Sequence, residues 1–197
     1  MAAQEFQVVS GDTQWLTSAN HPSKVAIVAS WTPTPVMSRS LSQYLFELEE
    51  IGFPSLVVNA SGLGEDLVWP HGKPNSTVVA TRPNVGYDFG SWADALDHFP
   101  GIRGFDEVLL TNDSMVGPFA PLTEISEAME DSGADLFALT ENQQHGRHMQ
   151  SFFVNFRGGI LEERPWRNFF ADVQQKASKD DIAARLTAMI GETLSKR

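Results

Sequence analysis

The chain has no cysteine among its 197 residues. Disulfide bonds, thiolate nucleophiles and zinc sites built on cysteine are therefore excluded, and a reducing compartment is the expected environment. The sequence also has no stretch of about 18 or more apolar residues, and its first residues lack the basic start and apolar centre of a signal peptide. We therefore expect a cytoplasmic protein without direct membrane insertion, with any contact at the inner face of the membrane made through partners.

Positive charge is scarce, because 14 Lys and Arg residues stand against 25 Asp and Glu residues and give a net charge of −11. Such a charge repels phosphate backbones and anionic headgroups, so nucleic acid is not expected as a partner. The Gly-x-Ser-x-Gly elbow of hydrolases, the phosphate loop of nucleoside triphosphatases and a zinc-like spacing of the five histidines are all missing. An anionic ligand must therefore meet local compensation from a few Arg side chains, helix N-termini or a metal ion.

The sequence does contain apolar strands that alternate with amphipathic helices. Strand, helix and strand joined by short links form a right-handed crossover unit, which predicts a parallel sheet. We therefore predict an α/β fold, with a Rossmann-like, mostly parallel central sheet flanked by helices, in one domain spanning residues 1–197. Residues 1–23 are expected to form a loose arm or an edge strand. The predicted strands are 24–30, 55–59, 77–81, 107–111, 134–139 and 150–156; the predicted helices begin at the Thr34 cap, at Asp88 and at Pro121, or lie around Trp166 and Ile182.

A first motif, residues 82–92, follows the third predicted strand. Asn84 and Gly86 can adopt positive φ and let the backbone turn sharply into the next helix. Gly86 and Gly90 also allow close approach of a ligand or of a neighbouring backbone. Asp88 lies at the helix start, where its carboxylate either caps the first helical amides or binds the hydroxyls of a ribose or sugar.

A second motif, residues 108–118, places Asp113 directly after an apolar strand and so at the carboxyl edge of the sheet. Mg²⁺ and Mn²⁺ need hard oxygen ligands and commonly bridge one or two carboxylates to a diphosphate. We therefore predict Asp113 as a metal ligand, with the oxygens of Asn112 and Ser114 nearby. The alternative is an Asx-type turn that binds nothing.

Together with residues 148–153, these two motifs resemble the rhamnan synthesis protein F family, bacterial cell-surface polysaccharide glycosyltransferases related to the GT-A fold. The resemblance runs from Lys24 to the last predicted helix. It implies a GT-A-like domain and a nucleotide-diphospho-sugar donor, with dTDP-rhamnose as the implied donor. The Asp-x-Asp metal motif of GT-A enzymes aligns with residues 111–113 and keeps only its last acid. Family members are commonly longer, so the resemblance implies that acceptor-binding parts are either missing from this chain or supplied by a partner domain or a homo-oligomer.

Transfer with inversion needs a general base near the acceptor hydroxyl. Glu141 after the fifth strand and His148 before the sixth are the catalytic candidates, with Glu141 preferred as base and His148 contacting the acceptor or the diphosphate. His148 could equally lie in a solvated loop, whereas Arg157 is a candidate partner of diphosphate oxygens. In GT-A enzymes the ends of the first two strands hold the nucleotide, so the resemblance implies that role for Ala29, Ser30 and Asn59. The motifs and the resemblance together add the other predicted substrate-binding residues: Arg82, Asn84, Gly86, Asp88, Gly90, Asn112, Ser114, Gln150 and Arg157.

The resulting functional prediction is an inverting glycosyltransferase of cell-surface polysaccharide synthesis. It would move a sugar, rhamnose by the resemblance, from a nucleotide diphosphate to a saccharide or lipid-linked glycan acceptor, with Mg²⁺ or Mn²⁺ as the divalent cation. The competing prediction is a catalytically silent nucleotide-sugar-binding or assembly module. The missing first acid of the metal motif and the short C-terminal region favour that alternative.

Overall fold

The computed structural model describes residues 5–18, 21–62, 67–115, 117–142, 148–149 and 152–173. Its strands are β1 (Gln7–Ser10), β2 (Lys24–Ser30), β3 (Ser55–Asn59), β4 (Val78–Thr81), β5 (Glu107–Asn112), β6 (Leu136–Ala138), β7 (Glu141–Asn142), β8 (His148–Met149) and β9 (Phe153–Arg157). Its α-helices are α1 (Gln14–Thr17), α2 (Arg39–Glu50), α3 (Tyr87–His98), α4 (Thr123–Ser132) and α5 (Arg164–Val173), with short 3₁₀ helices at Pro100–Gly104 and Ile160–Glu162.

The main sheet, as far as the chain is described, has seven strands in the order β1-β4-β3-β2-β5-β9-β6. β4, β3, β2 and β5 are parallel to one another, whereas β1 pairs antiparallel with β4 and β9 pairs antiparallel with both β5 and β6. The predicted α/β architecture, a mostly parallel central sheet flanked by helices, is therefore confirmed and is compatible with a Rossmann-like fold. β7 and β8 form a separate two-stranded sheet.

Helices cover both faces of the central strands. β3, β4 and β5 are buried along their whole length, as expected of parallel strands rich in Val and Leu. On one face, α3 and α5 contribute the aromatic side chains Trp92 and Phe169 to the core. On the other, α2 contributes Leu45 and Leu48, and α4 contributes Met129. The carboxyl edge of the parallel strands is therefore the part of the sheet that the core helices leave for a site.

The start of α2 differs from the prediction. The helix is capped by Ser38, whose hydroxyl accepts a hydrogen bond from the Leu41 N–H at 3.1 Å, so the predicted cap at Thr34 is wrong. The chain before the helix instead pairs with the following long loop, because the Val68 N–H donates to the Pro35 carbonyl at 2.7 Å. This tertiary pairing keeps the segment extended and delays the helix by about one turn.

Near the chain ends, the structure decides between two predicted alternatives. Residues 7–10 form an edge strand, β1, rather than a loose arm. The last predicted helix, around Ile182, lies outside the described residues, and the assignment of residues 1–197 to one domain stays a prediction. In the part of the chain that is described, no helix combines the length and the apolar character needed to cross a membrane.

Candidate functional site

Three parallel strands end side by side at the carboxyl edge of the sheet. Ser30 at the end of β2 is paired in register with Asn59 at the end of β3, and Ala29 is paired with Asn112 at the end of β5. Asp113 follows immediately, and its N–H donates to the Ala29 carbonyl at 3.1 Å. The topology therefore brings together predicted site residues that are separated by more than 80 positions in sequence.

A chain of hydrogen bonds connects these strand ends. The Ser30 hydroxyl donates to Oδ2 of Asp113 at 2.7 Å and accepts a longer hydrogen bond from Nδ2 of Asn59 at 3.4 Å. Oδ1 of Asn59 accepts from both the N–H and the hydroxyl of Ser61. Each side chain is thereby oriented by its neighbour, so the carboxylate of Asp113 has a defined position before any ligand binds.

The surroundings of Asp113 disfavour its charged form. Burial raises the pKa of its carboxyl above the ordinary value, and the negative charge of Asp88 raises it further, while the hydrogen bonds from Ser30 and from the Trp31 backbone act in the opposite direction. A ligand that brings positive charge or hydrogen-bond donors to this carboxylate compensates for the burial. Such compensation is what a cation bound together with a diphosphate supplies.

Asp88 faces the same edge from the first turn of α3. The N-cap of this helix is Gly86, with a φ of 76°, and no side chain caps it, so the capping role considered for Asp88 is wrong. Oδ2 of Asp88 instead accepts a hydrogen bond from Nδ2 of Asn112 at 2.8 Å. The two carboxylates therefore lie on either side of Asn112, Asp88 in the first turn of α3 and Asp113 directly after β5.

Arg82 and Gly90 shape the loop that leads into α3, the helix that carries Asp88. Arg82 is only 5% exposed; its Nε donates to Asp94 at 2.5 Å, and one terminal nitrogen donates to the Val85 carbonyl at 2.7 Å. A Cβ atom on Gly90 would lie 2.1 Å from that same carbonyl oxygen. The close approach that Gly90 allows is thus made by neighbouring backbone, and the Arg82 guanidinium is directed into the protein rather than toward a ligand. Asn84, in the same loop, is exposed.

Arg157 does not join the site. Its guanidinium lies 3.6 Å from Oε1 of Glu107 and donates to the Met129 carbonyl at 3.0 Å. Glu107 is the first residue of β5, whereas Asp113 follows the last, so the two ends are separated by about 20 Å of strand. Because β9 runs antiparallel to β5, its final residue lies at the amino edge of the parallel strands. The predicted contact of Arg157 with a diphosphate at Asp113 is therefore wrong.

The Asx turn weighed as an alternative for the second motif does form, although through a different residue. The Ser114 N–H donates to Oδ1 of Asn112 at 3.2 Å. Asn112 thus holds Ser114 with its oxygen and Asp88 with its nitrogen, and Asp113 keeps its carboxylate toward Ser30. Turn formation and a ligand role for Asp113 are compatible in this geometry. Ala29, which is buried, contributes its backbone carbonyl.

The two catalytic candidates lie on the β7-β8 hairpin. Its backbone register pairs Glu141 with Met149 and Asn142 with His148. The side chains of Glu141 and His148 are outside the described part of the structure, and Gln150 is outside it entirely. Their catalytic and binding roles stay predictions.

Sequence reasoning missed a cavity of about 280 Å³ that Asn112 and Asp113 help to line. It lies between α2, α4 and the loop after β5, and this loop is attached to α2 because the Gly117 N–H donates to the Ser40 hydroxyl at 3.1 Å. A signal was present in the sequence, since the polar motif around Asp113 is followed by Met115, Pro118 and Phe119. Phe119, which lines the cavity, is 88% exposed and adds apolar surface to it.

The oxygen ligands that the protein offers fit a divalent cation only when a bound substrate supplies further ligands. Among the residues with described positions, no group of three or more His, Asp and Glu side chains could hold a metal. Asp113 and Asp88 supply two carboxylates, which matches the way Mg²⁺ is held by one or two carboxylates together with substrate phosphates. A cation bound by protein groups alone does not fit these residues.

Comparisons with known proteins agree with the two strand-end motifs. The sequence model of the rhamnan synthesis protein F family matches residues 75–195. Two Vibrio anguillarum sequences, each named virulence protein VirA, are 37% identical to this chain over 96 residues, or 47% of this chain and 30% of theirs. The chain thus spans less than a third of these relatives, and no solved structure matches it. Because the family match covers most of the chain and contains both motifs, the chain belongs to the rhamnan synthesis protein F family.

Proposed function

We propose that this chain binds the nucleotide-diphospho-sugar donor of a glycosyltransferase, and that it transfers the sugar with inversion to a growing cell-surface glycan. Rhamnose is the sugar that the family name indicates. The observation that carries the proposal is the pair Asp113 and Asp88, oriented through Ser30 and Asn112 at the carboxyl edge of a parallel sheet. Ligands of open α/β sheets bind at this edge.

The chemistry of the edge suits such a donor. Ser30, Asn59 and Asn112 offer neutral hydrogen-bonding groups of the kind that bind ribose and sugar hydroxyls. The chain carries a net charge of −11, so a diphosphate needs a cation to approach two carboxylates. A divalent cation, when bound, supplies charge neutralisation for the departing nucleoside diphosphate. Asp113 would hold it, and Asp88 would hold either the cation or a donor hydroxyl.

The acceptor half of the reaction is assigned to the β7-β8 hairpin. Glu141 would take the proton of the attacking hydroxyl, and His148 would contact the acceptor or the diphosphate. We place the reaction in the cytoplasm, with a saccharide or lipid-linked glycan as acceptor and with a partner domain or second copy completing the acceptor site. The relatives are more than three times as long as the matched region, which leaves room for such a domain in proteins of this kind.

One observation supports the second candidate, a nucleotide-sugar-binding module without catalysis. Thr111 stands where the GT-A metal motif has its first acid, and it is fully buried. Its hydroxyl donates to the Phe152 carbonyl at 2.7 Å and lies 2.7 Å from the Tyr44 hydroxyl. The position therefore contributes no metal ligand, which weakens cation binding in either candidate function.

Titration calorimetry tests donor binding, with UDP and dTDP as probes and with or without Mn²⁺. Asp113→Asn should abolish the increase in affinity that Mn²⁺ produces, while the matched control Asp131→Asn, exposed on α4, should retain it. Asp88→Asn keeps an oxygen for the Asn112 amide and should lower affinity at least about tenfold without a change in stability. Absence of binding by the wild-type chain would refute the proposed function.

A transfer assay separates the two candidates. With a bound donor, Glu141→Gln should reduce turnover by roughly 10²–10⁴-fold at nearly unchanged donor affinity. A collapse of turnover confined to His148→Ala would move the base to the histidine. Donor binding without transfer or hydrolysis in the wild-type protein would favour the binding module.

A further inference from the structure

The cavity beside Asp113 has predominantly apolar walls. They come from α2, from the loop after β5, from α4 and from β9, and they include Leu41, Met115, Pro118, Leu122, Ile125 and Phe153. Its volume of about 280 Å³ falls just below the ~300–1,000 Å³ of sites for drug-sized ligands. A single ring or a short alkyl chain therefore matches the available space better than a whole nucleotide sugar.

The charged residues in the described lining of the cavity are acidic. Among the described residues that line it, Asp113 and Glu124 carry carboxylates, and none is Lys, Arg or His. An anionic group placed there would meet like charge without compensation. The diphosphate of a donor is consequently disfavoured inside the cavity.

The neutral polar groups of the wall are already satisfied by the protein. The Thr111 hydroxyl donates to the Phe152 carbonyl, so the Tyr44 hydroxyl is the donor in the 2.7 Å hydrogen bond between Tyr44 and Thr111. The Ser40 hydroxyl donates to the Gly117 carbonyl at 2.5 Å and accepts from its N–H. Because these groups need no partner from a ligand, an apolar group can enter without leaving buried polar atoms unpaired.

We propose that this cavity binds a neutral, apolar group of the acceptor, about the size of one ring or a six-carbon chain. Asp113 lines the cavity, so the group would lie beside the reacting end of the donor while the nucleotide occupies the side of Asp88, Ser30 and Asn59. The identity of the ligand as an acceptor rests on the proposed function, whereas the binding of an apolar group in the cavity does not. The exposed Phe119 at the cavity offers further apolar surface to the same ligand.

Three probes of simple chemistry test the inference with the full chain and no nucleotide: hexyl β-glucoside, methyl β-glucoside and hexanoate. Saturation-transfer NMR and calorimetry should show hexyl β-glucoside binding at least about tenfold more tightly than the methyl compound, because the cavity removes several CH₂ groups from water. Hexanoate, which has an anionic end next to Asp113 and Glu124, should bind more weakly than hexyl β-glucoside. Equal binding of the two glucosides, or tighter binding of hexanoate, overturns the inference.

Matched variants localise the binding. Ala120 lines the cavity and is exposed, so Ala120→Trp should fill the space and reduce hexyl glucoside affinity at least about fivefold; Ala128→Trp, at an exposed position on α4 away from the lining, should leave it unchanged. If Ala120→Trp lowers the melting temperature, Ile125→Gln serves as the second test, because it makes the wall polar and should also reduce hexyl β-glucoside affinity. Retained affinity in folded variants of both lining residues overturns the site. If UDP and dTDP fail to bind while hexyl β-glucoside still binds and the lining variants still weaken it, the proposed function is refuted and the inference about the cavity stands.

Discussion

Gly90→Ala should destabilise the protein although it introduces a better helix former. Gly90 lies in the first turns of α3 and is buried. An added Cβ would lie 2.1 Å from the Val85 carbonyl oxygen and 3.0 and 3.1 Å from the two terminal nitrogens of Arg82. The carbonyl that must move is the one that accepts the 2.7 Å hydrogen bond from Arg82. The methyl group therefore disturbs the loop and its anchor together.

The magnitudes decide the direction of the change. Overpacking costs about 1–3 kcal/mol, and weakening a hydrogen bond to a buried charged group costs about 1.5–3 kcal/mol. The helix-propensity gain from Gly to Ala offsets about 1 kcal/mol of this. The free energy of unfolding should consequently fall by about 3 kcal/mol. Because the same loop leads directly into the turn of α3 that carries Asp88, nucleoside diphosphate affinity should fall as well.

Urea denaturation followed by circular dichroism measures the first effect, and calorimetry with UDP the second. Gly104→Ala is the matched control, since a Cβ on Gly104 meets no atom within 4 Å. The control should change the free energy of unfolding by less than about 0.5 kcal/mol. A Gly90→Ala protein as stable as the control would refute the proposed packing of Val85 and Arg82 around Gly90.

Three further outcomes follow from the structure. Because burial raises the pKa of Asp113, its protonated carboxyl group adds to the stability of the folded state below the ordinary pKa of aspartic acid, and this contribution is lost as pH rises through the raised pKa of the folded state. In urea melts, Asp113→Asn should therefore gain stability relative to wild type as pH rises from about 3 to about 7, and a constant difference would contradict the raised pKa. Tyr44→Phe should lower the free energy of unfolding by about 1 kcal/mol, because Thr111 keeps its own hydrogen bond to the Phe152 carbonyl, and no loss would mean that the Tyr44 hydroxyl makes no useful bond. Ser38→Ala should cost about 1 kcal/mol of stability and Thr34→Ala less than about 0.3 kcal/mol, with the reverse order returning the helix start to Thr34.

Strand and helix identities were largely predictable because they depend on local periodicity. The buried strand at residues 24–30 matches β2, and the prediction for residues 55–59 matches β3. Boundaries failed where a distant segment competed with a local signal. The start of α2 is the clear case, since pairing with Val68 outweighed the Thr34 cap.

The family resemblance assigned Ser30 and Asn59 to a nucleotide site, whereas the sequence by itself determined the α/β class, the parallel arrangement of the central strands and the place of Asn112 and Asp113 at the carboxyl edge of the sheet. These follow from strand order along the chain and from the carboxyl-end rule for parallel sheets, which need no knowledge of side-chain contacts.

Only the tertiary structure decided how the remaining predicted residues are used. Arg157 lies at the opposite edge because β9 runs antiparallel, a direction that apolar periodicity does not encode. Arg82 is buried against Asp94, and Asp88 binds Asn112 instead of capping its helix, because the fold places these partners within hydrogen-bond distance. The cavity beside Asp113 likewise arises from four separate segments, so its existence depends on packing rather than on any one of them.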